Sequence, residues 1–370
     1  MQKQTTHKHT ILLLFLTLSL LFTSCTSPAA ETPPVEEEKS TLQITYLDVG
    51  QGDCTFIQLP NGETMLIDAG NHKDGQSIIQ YIQSQDTEVL DYVIATHPHA
   101  DHIGGMAEVI RAFDVKNVYM PKKSHSSATF ENLLDTIAEK ALTIQTAKAG
   151  KVLLDEDELK AEFLAPIGDG YSNLNNYSAV LMLTYNEKHF LFMGDAEQEV
   201  ENELLESGAD LSADVLKVGH HGSDTSSSKE FLEVVRPSIA VISVGAGNSY
   251  GHPDAVTLTT LQELQADIWR TDEKGTVIVI CNGENITVQN IDTLAQPNAP
   301  PTDTAEEAEE QQTTESKAVQ SETVYITKTG TKYHRDGCRF LSKSKIAVLL
   351  EEIDMEKYTP CSVCNPPERK

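Results

Sequence analysis

The chain is poor in basic residues. Of its 370 residues, 28 are lysine or arginine and 56 are aspartate or glutamate, which gives a formal net charge of −28. Such a chain is not expected to coat nucleic acid electrostatically, because that binding depends on many cations against the phosphates. Long hydrophobic runs are also scarce, and the most continuous one, residues 11–22, is too short for a comfortable membrane span. These deficits argue against a basic coat protein and against a membrane span in this run.

The N-terminal segment is typical of a secretory signal. Basic residues precede the apolar run, and small residues lead into Cys25 in a pattern that resembles a bacterial lipobox. We therefore predict a lipoprotein signal peptide over 1–25, with Cys25 as the lipid-bearing residue, and a flexible tether over 26–41. The protein is then extracytoplasmic and anchored in the cell membrane by its lipid. Ordinary signal cleavage and full secretion is the alternative.

The remainder divides into a large and a small unit. An acidic stretch over 292–323, rich in Glu, Gln, Thr and Pro, has no hydrophobic periodicity and is expected to be a disordered linker. It separates a large domain, 42–291, from a small one, 324–367. Apolar runs and amphipathic stretches alternate in the large domain, which predicts two sheets covered by helices on their outer faces. The predicted helices are 77–84, 104–113, 197–206 and 256–264, and the predicted strands are 42–47, 54–59, 63–67, 92–95, 117–120, 162–165, 179–185, 189–193, 215–218, 239–244 and 276–280.

A run of metal-ligand residue types directly follows one predicted strand. His97, His99, Asp101 and His102 occupy six positions after the apolar stretch that ends at Ala95. Neutral imidazoles and carboxylates are the ligands that divalent first-row metals prefer. Such an arrangement can hold two ions about 3.5–4 Å apart, as in many hydrolases. The alternative without metal binding is a polar loop with several surface histidines.

Further ligand-type residues follow other predicted strands. Asp68 comes after 63–67, Asp195 after 189–193, and His220 and His221 after 215–218, while His252 lies in a later turn. Each alone is compatible with a turn or capping role. Their recurrence at strand ends, together with the histidine run, predicts a metal site.

The motifs together resemble the metallo-β-lactamase-fold hydrolases, and within them the hydrolase domain of ComEC-type competence proteins. The motifs are Leu47–Asp53 (LDVGQGD), the His97 run with Ile103–Gly105, Gly194–Asp195, and His220–Ser223. The resemblance implies an α+β fold, an αββα sandwich, with two divalent ions, zinc or manganese, at the strand ends.

The same resemblance implies a role for each ligand. His97 and His99 would hold one metal and Asp101 and His102 the other, with Asp195 bridging them. One of the two adjacent histidines, His220 ranked before His221, would complete the second metal. Asp68 would hydrogen-bond a ligand or water and fix its orientation.

One position departs from the broader family. A third histidine for the first metal is often found about twenty residues before the bridging aspartate, and Asn176 stands nineteen residues before Asp195. An amide oxygen is a weaker ligand than imidazole, so Asn176 predicts a loosely held metal or a preference for manganese. His125 is a conceivable substitute ligand, although a place at the pocket rim is favoured.

The predicted site lining suits a phosphodiester. Lys122, Lys123 and Lys217 supply local cations, and His252 is expected to contact the leaving group or donate a proton. Asp101, Asp195 and His252 are thus the predicted catalytic residues of a phosphodiesterase or nuclease that acts on DNA. Two alternatives stay open: an esterase for phosphocholine on teichoic acid, although choline-binding aromatic repeats are absent, and a non-catalytic surface lipoprotein that binds DNA. The oligomeric state is left open.

The small domain carries a Cys3His set. The ligands are His334, Cys338, Cys361 and Cys364, with 22 residues between the inner pair. A unit this small needs a staple for stability, and this spacing predicts a structural zinc ion. A disulfide is the alternative in an exported protein. Cys54 and Cys281 lie in or beside predicted strands and are expected to be buried as small apolar side chains.

Overall fold

The structure is a computed structural model that describes part of the chain. It covers residues 41–291 and, near the C-terminus, residues 323–327, 331–335, 338–341, 346–350, 357–361, 363–364 and 366. The predicted signal peptide with Cys25, the tether up to residue 40 and the linker over 292–322 lie outside the described residues. The chain divides into two compact units, Met1–Asn298 and Ala299–Lys370. No helix in the described stretches is long and apolar enough to cross a membrane.

The first sheet of the large unit has eight strands in the order β15-β14-β1-β2-β3-β4-β5-β6. Its strands are β1 (Leu42–Tyr46), β2 (Thr55–Gln58), β3 (Thr64–Ile67), β4 (Val89–Ile94), β5 (Asp114–Met120), β6 (Ile144–Thr146), β14 (Thr276–Cys281) and β15 (Ile286–Ile291). β1, β2 and β3 form antiparallel hairpins, while β3 to β6 run parallel. β14 pairs with β1 and β15 pairs with β14, so the last two strands of the unit extend the sheet beyond the first strand.

The second sheet has seven strands in the order β13-β12-β11-β10-β9-β8-β7. Its strands are β7 (Val152–Asp155), β8 (Leu159–Ala165), β9 (Val180–Tyr185), β10 (Lys188–Phe192), β11 (Val215–Lys217), β12 (Ile239–Ile242) and β13 (Asp267–Arg270). β10 to β13 are parallel to one another. Parallel strands are covered on both faces, which explains why their sequences are nearly continuous apolar runs.

Three apolar cores hold the layers together. One lies between the sheets and includes Tyr46 and Phe192. The second packs helices α1 and α3 against the first sheet, and the third packs α5 and α6 against the second sheet. The helices are α1 (Gly75–Ser84), α2 (Ala100–Ile103), α3 (Met106–Ala112), α4 (Ala128–Glu139), α5 (Gln198–Ser207), α6 (Lys229–Val235), α7 (Ala255–Glu263) and α8 (Thr271–Lys274). The predicted αββα sandwich is therefore confirmed.

Several elements were absent from the prediction. They are α2, α4, α6 and α8 and the strands β6, β7, β13 and β15. β6 has three residues, and β15 is largely exposed at the sheet edge with polar residues at half of its positions, so neither has a strong apolar pattern. α4 is different, because Phe130, Leu133 and Ile137 form a buried stripe behind the capping side chain of Ser127. The sequence therefore contained the signals of a helix here, and the prediction missed them.

The small unit contains a four-stranded sheet. The strands are β16 (Thr323–Ile326), β17 (Lys332–His334), β18 (Ile346–Leu349) and β19 (Thr359–Pro360), in the order β18-β16-β17-β19. Val324, Tyr333 and Leu350 form its small apolar cluster. So few buried apolar residues offer little stability from hydrophobic burial alone.

Candidate metal centre

The ligand-type side chains of the large unit meet where parallel strands of the two sheets end. His97 follows β4, Asp101 and His102 lie in the short helix α2, Asp195 follows β10, and His221 follows β11. Carboxyl ends of parallel strands open on the same edge of a sheet, where ligands usually bind.

Glycine is required beside one of these residues. Gly194, just before Asp195, has φ +54°, and a Cβ there would lie 3.0 Å from the Cβ of Thr96. The missing side chain lets the two sheets approach at this point, and the Asp195 amide then donates to Ser178 Oγ at 3.0 Å.

Asp195 lies at the centre of the group. Its Oδ2 is 3.1 Å from His102 Nε2, 3.7 Å from His97 Nε2 and 3.7 Å from His221 Nε2. The Oδ2 of Asp101 lies 3.5 Å from His221 Nε2 and 4.0 Å from His102 Nε2. Four overlapping sets of three possible ligands result. Two of them, His97 with His102 and Asp195, and Asp101 with His102 and His221, contain only the predicted ligands, and the other two, Asp53 with Asp195 and His221, and Asp53 with Asp68 and His102, include Asp53.

The residues fit divalent cations. His102 Nε2, His221 Nε2 and Asp195 Oδ1 are buried and have no hydrogen-bond partner among the described residues. Buried polar atoms without partners cost free energy, and coordination to a cation would satisfy all three. Burial lowers the pKa of His97 well below its usual range, which favours the neutral imidazole that binds metals.

Charges inside the cluster affect one another. Burial disfavours the charged form of Asp195, but His102 and His221 hold the pKa of its carboxyl well below its usual range. Burial likewise opposes the charged form of His102, yet Asp195 and Asp68 raise its pKa well above the usual value. The carboxylates thus concentrate negative charge at the place where cations would bind.

Hydrogen bonds behind the cluster fix two ligand rings. The Nδ1 of His102 lies 2.7 Å from Asp68 Oδ2, and Asp68 also accepts from the amide and hydroxyl of Thr96 at 2.8 and 2.6 Å. The Nδ1 of His221 lies 2.9 Å from the carbonyl oxygen of Ser243, at the end of β12. A carbonyl only accepts, so His221 Nδ1 carries the hydrogen and Nε2 is left to face the cluster.

The structure places the rings of the two adjacent histidines in different surroundings. His221 is buried with its Nε2 among the carboxylates, whereas the Nδ1 of His220 bonds outward to Thr225 Oγ1 at 3.1 Å and lies 3.2 Å from Glu197 Oε1. His220 Nε2 lies 3.9 Å from Asp195 Oδ2. Both residues adopt left-handed φ values, +47° and +53°, and this turn sends the two rings to different places.

Asn176 makes its side-chain hydrogen bonds beside the site. Its Nδ2 donates to Glu199 Oε2 at 2.7 Å and its Oδ1 accepts from the Glu197 amide at 3.0 Å, so both amide atoms are bound at the start of α5. Asn175 is the asparagine that lines the cavity, with its Nδ2 3.3 Å from His220 Nε2. In the structure, Asn176 therefore bonds to the start of α5, and its role at the first metal stays a prediction.

The remaining predicted residues surround the opening. A cavity of about 300 Å³ is lined by Gln51, His99, Asp101, Asn175, Tyr250 and His252, among others. His99 is half-buried, with its Nδ1 2.9 Å from His97 Nε2. The His125 ring centre lies 6.4 Å from that of His99, and its Nδ1 bonds Ser127, which leaves it outside the ligand group.

Two charged residues at the site were not predicted in their observed roles. Lys217, expected to offer a cation to the substrate, is 2% exposed and lies 2.7 Å from Asp53 Oδ2. Burial opposes ionisation of Asp53, but Lys217 and His221 lower its pKa to about 2. The sequence did contain a signal for this buried ion pair, because Lys217 lies in an otherwise apolar parallel strand.

The small unit brings its four predicted ligands together. His334, Cys338, Cys361 and Cys364 each offer a ligand atom, and these atoms all lie within 4.8 Å of one another. None of the five cysteines described (Cys54, Cys281, Cys338, Cys361 and Cys364) forms a disulfide. A Cys3His set of this kind is suited to tetrahedral zinc.

The predicted zinc site of the small unit can be tested by measuring the zinc content of the protein. The full chain is expected to carry one zinc ion that survives mutation of the large unit's histidines and is lost in Cys361→Ser. Elemental analysis and a zinc-release assay with a thiol reagent measure this. Mass spectrometry that instead finds a bridge between two of these cysteines and no zinc would refute the site.

The chain matches known proteins over the large unit. The model of the metallo-beta-lactamase superfamily matches residues 47–246. ComE operon protein 3 of Bacillus subtilis is 32% identical over 252 residues, 64% of this chain and 32% of the relative. Recombination protein 2 of Haemophilus influenzae is 28% identical over 267 residues, 70% of this chain and 31% of the relative. Endoribonuclease ysh-1 of Neurospora crassa is 23% identical over 201 residues, 48% of this chain and 23% of the relative.

The matched region spans about a third of the length of the first two relatives, which are ComEC-type competence proteins. Proteins of the matched superfamily are generally metal-dependent hydrolases. The resemblance predicted from the motifs is confirmed: this chain belongs to the metallo-β-lactamase superfamily and has ComEC-type competence proteins among its homologues.

Proposed function

We propose that the large unit is a metal-dependent phosphodiesterase that hydrolyses nucleic acid outside the cytoplasm. The observation that carries the proposal is the buried group of His97, His102, Asp195 and His221, whose ligand atoms converge beside an open cavity. The names of two relatives, an endoribonuclease and a recombination protein, support a nucleic-acid substrate.

Some of these residues would coordinate the metal ions, and others orient the side chains that coordinate them. His97, His102 and Asp195 would hold one divalent ion. Asp101 and His221 would hold a second, together with Asp195 as a shared ligand. Such ions lower the pKa of a bound water and offset charge that develops on a phosphoryl oxygen. Asp68 and the Ser243 carbonyl keep the rings of His102 and His221 in the tautomer that presents Nε2.

An exposed aromatic beside the cavity favours a nucleotide substrate. Tyr250 is 70% exposed and stacks on the His252 ring, with ring centres 5.8 Å apart and an interplanar angle of 13°. Nucleobases stack on exposed aromatic rings whatever the nucleotide sequence, because every base has a π-face. Local stacking of this kind suits an acidic chain, which lacks the charge to hold nucleic acid over a broad surface.

A substrate panel tests the function. Purified protein with manganese or zinc is offered single-stranded DNA, duplex DNA, RNA, a chromogenic phosphodiester and a phosphocholine ester. Hydrolysis of a nucleic acid that chelator abolishes and added metal restores is expected. Hydrolysis of the phosphocholine ester alone, or DNA binding without hydrolysis, would overturn the proposal.

His252 is expected to act on substrate and not on metal. Burial and the neighbouring His220 lower the pKa of His252, so a neutral ring at the cavity rim would contact the leaving oxygen at neutral pH. His252→Ala should keep the metal content and lower turnover about 10²–10⁴-fold, the range for a positioned acid or base. Elemental analysis beside kinetics measures both quantities. His189→Ala, on the same protein but at the start of β10, is the matched control and should leave both unchanged.

The proposed extracytoplasmic location of the protein depends on lipidation at Cys25. We expect the expressed protein to fractionate with membranes and to carry lipid on Cys25, because the preceding segment resembles a lipobox. Cys25→Ala should release it. A Cys25→Ala protein that still fractionates with membranes would defeat the lipid anchor, as would a wild-type protein found wholly in the medium.

A further inference from the structure

The buried pair of Lys217 and Asp53 lies directly behind the metal cluster. Lys217 is on β11, between the apolar residues Leu216 and Val218, and its Nζ contacts Asp53 Oδ2 at 2.7 Å and the Val218 carbonyl at 3.0 Å. Both side chains are almost fully buried. A buried ion pair is generally no more stabilising than apolar residues of the same volume, so its presence here calls for another reason.

The free oxygen of Asp53 faces a predicted metal ligand. Asp53 Oδ1 lies 3.3 Å from His221 Nδ1, and among the described residues it has no hydrogen-bond partner of standard geometry. Asp68 lies on the same side of His102 but closer, and its carboxylate forms a hydrogen bond of 2.7 Å with Nδ1 of that ring. Each of the two central histidines therefore has an aspartate behind its ring.

The turn that carries Asp53 is also joined to the helix that carries Asp101. The Asp53 amide donates to the Asp101 carbonyl at 3.1 Å. The preceding Gly52 has φ +150°, and a Cβ there would lie 2.5 Å from that same carbonyl oxygen. Asp53 thus contacts His221 by its side chain and the backbone of Asp101 by its amide, and both are ligand candidates of the second set.

We propose that the Asp53–Lys217 pair is a positioning element for the second metal. Lys217 fixes Asp53 through one oxygen. The other oxygen lies 3.3 Å from His221 Nδ1, whose hydrogen goes to the Ser243 carbonyl, and it supports the positive charge that the ring acquires on coordination. Lys217 also offsets one of the four aspartates, Asp53, Asp68, Asp101 and Asp195, that crowd this region. The proposal rests on the metal binding in the proposed function and not on its substrate.

Two variants separate positioning from simple stability. Asp53→Asn keeps the shape of the side chain, and the double variant Asp53→Asn with Lys217→Met removes both buried charges. We expect the double variant to recover the thermal stability that the single variant loses. Both should bind the first ion as the wild type does and the second about 10- to 100-fold more weakly, as measured by calorimetric titration with manganese.

The matched control is a second pair on the same sheet. Lys188 and Asp214 lie 3.2 Å apart at the opposite end of β10, and the double variant Lys188→Met with Asp214→Asn should bind both ions as the wild type does. Absorption spectra of the cobalt-substituted proteins report the second ion's ligand geometry and should change only in the Asp53 variants.

The outcomes are distinct from those of the substrate panel. A double variant that binds the second ion with wild-type affinity would overturn the positioning role, whatever its thermal stability. A wild-type chain that binds a single ion in the large unit would overturn it as well. Weakened second binding in a protein that hydrolyses no phosphodiester would support the positioning role and refute the proposed function.

Discussion

Asp195→Ala is expected to abolish hydrolysis and to leave fewer than two ions in the large unit. The carboxylate lies within 3.1 to 3.7 Å of three histidine Nε2 atoms, so its removal takes a shared ligand from both predicted metal positions. Without it, two cations would also repel each other without an intervening negative charge. Turnover should fall more than about 10³-fold, beyond the loss of a single stabilising hydrogen bond.

Elemental analysis and kinetics on the same preparation test this prediction. Asp214→Ala is the control, because Asp214 accepts the His189 amide at 2.9 Å near the opposite end of the strand that leads to Asp195. It should lower thermal stability without changing metal content. Two bound ions and near-normal turnover in Asp195→Ala would show that Asp195 does not bridge the metals.

The position of the site could be predicted from polar residues at the ends of apolar strands. Asp68, His97 and Asp195 each directly or nearly follow a buried strand, and the structure brings all three to one edge. This works because the last three residues of these strands, Met65–Ile67, Tyr92–Ile94 and Phe190–Phe192, are buried and largely apolar, so the next aspartate or histidine lies just past the end of the strand. The layered fold followed from the same pattern and from the motif resemblance.

The choice between adjacent residues could not be predicted in the same way. Spacing locates a ligand along the chain to within a residue, but the direction of its side chain depends on local φ and ψ. His220 and His221 both have left-handed φ in a tight turn, and Asn175 and Asn176 lie in one 3-10 turn. The Ser243 carbonyl that orients His221 has no sequence signal, because every residue offers the same backbone group.

His221→Ala and His220→Ala are expected to give opposite results. Loss of His221 removes an imidazole that lies 3.5 Å from Asp101 and 3.7 Å from Asp195, so the second ion should be lost and turnover should fall more than about 10³-fold. Loss of His220 removes bonds to Thr225 and Glu197 at the cavity wall. That variant should keep both ions and lose less than about tenfold in turnover, the scale of one modest hydrogen bond.

The two variants control for each other, because the same residue type is removed from neighbouring positions of one turn. Calorimetric titration counts the ions, and kinetics at saturating metal distinguishes weakened metal binding from lost chemistry. His221→Gln adds a test of geometry, since its amide keeps polarity but cannot reproduce an imidazole held by Ser243. If His220→Ala were the variant that lost the second ion, the turn would have to present the first ring to the carboxylates on metal binding. The Nδ1 bond of His221 to Ser243 would then have only a structural role.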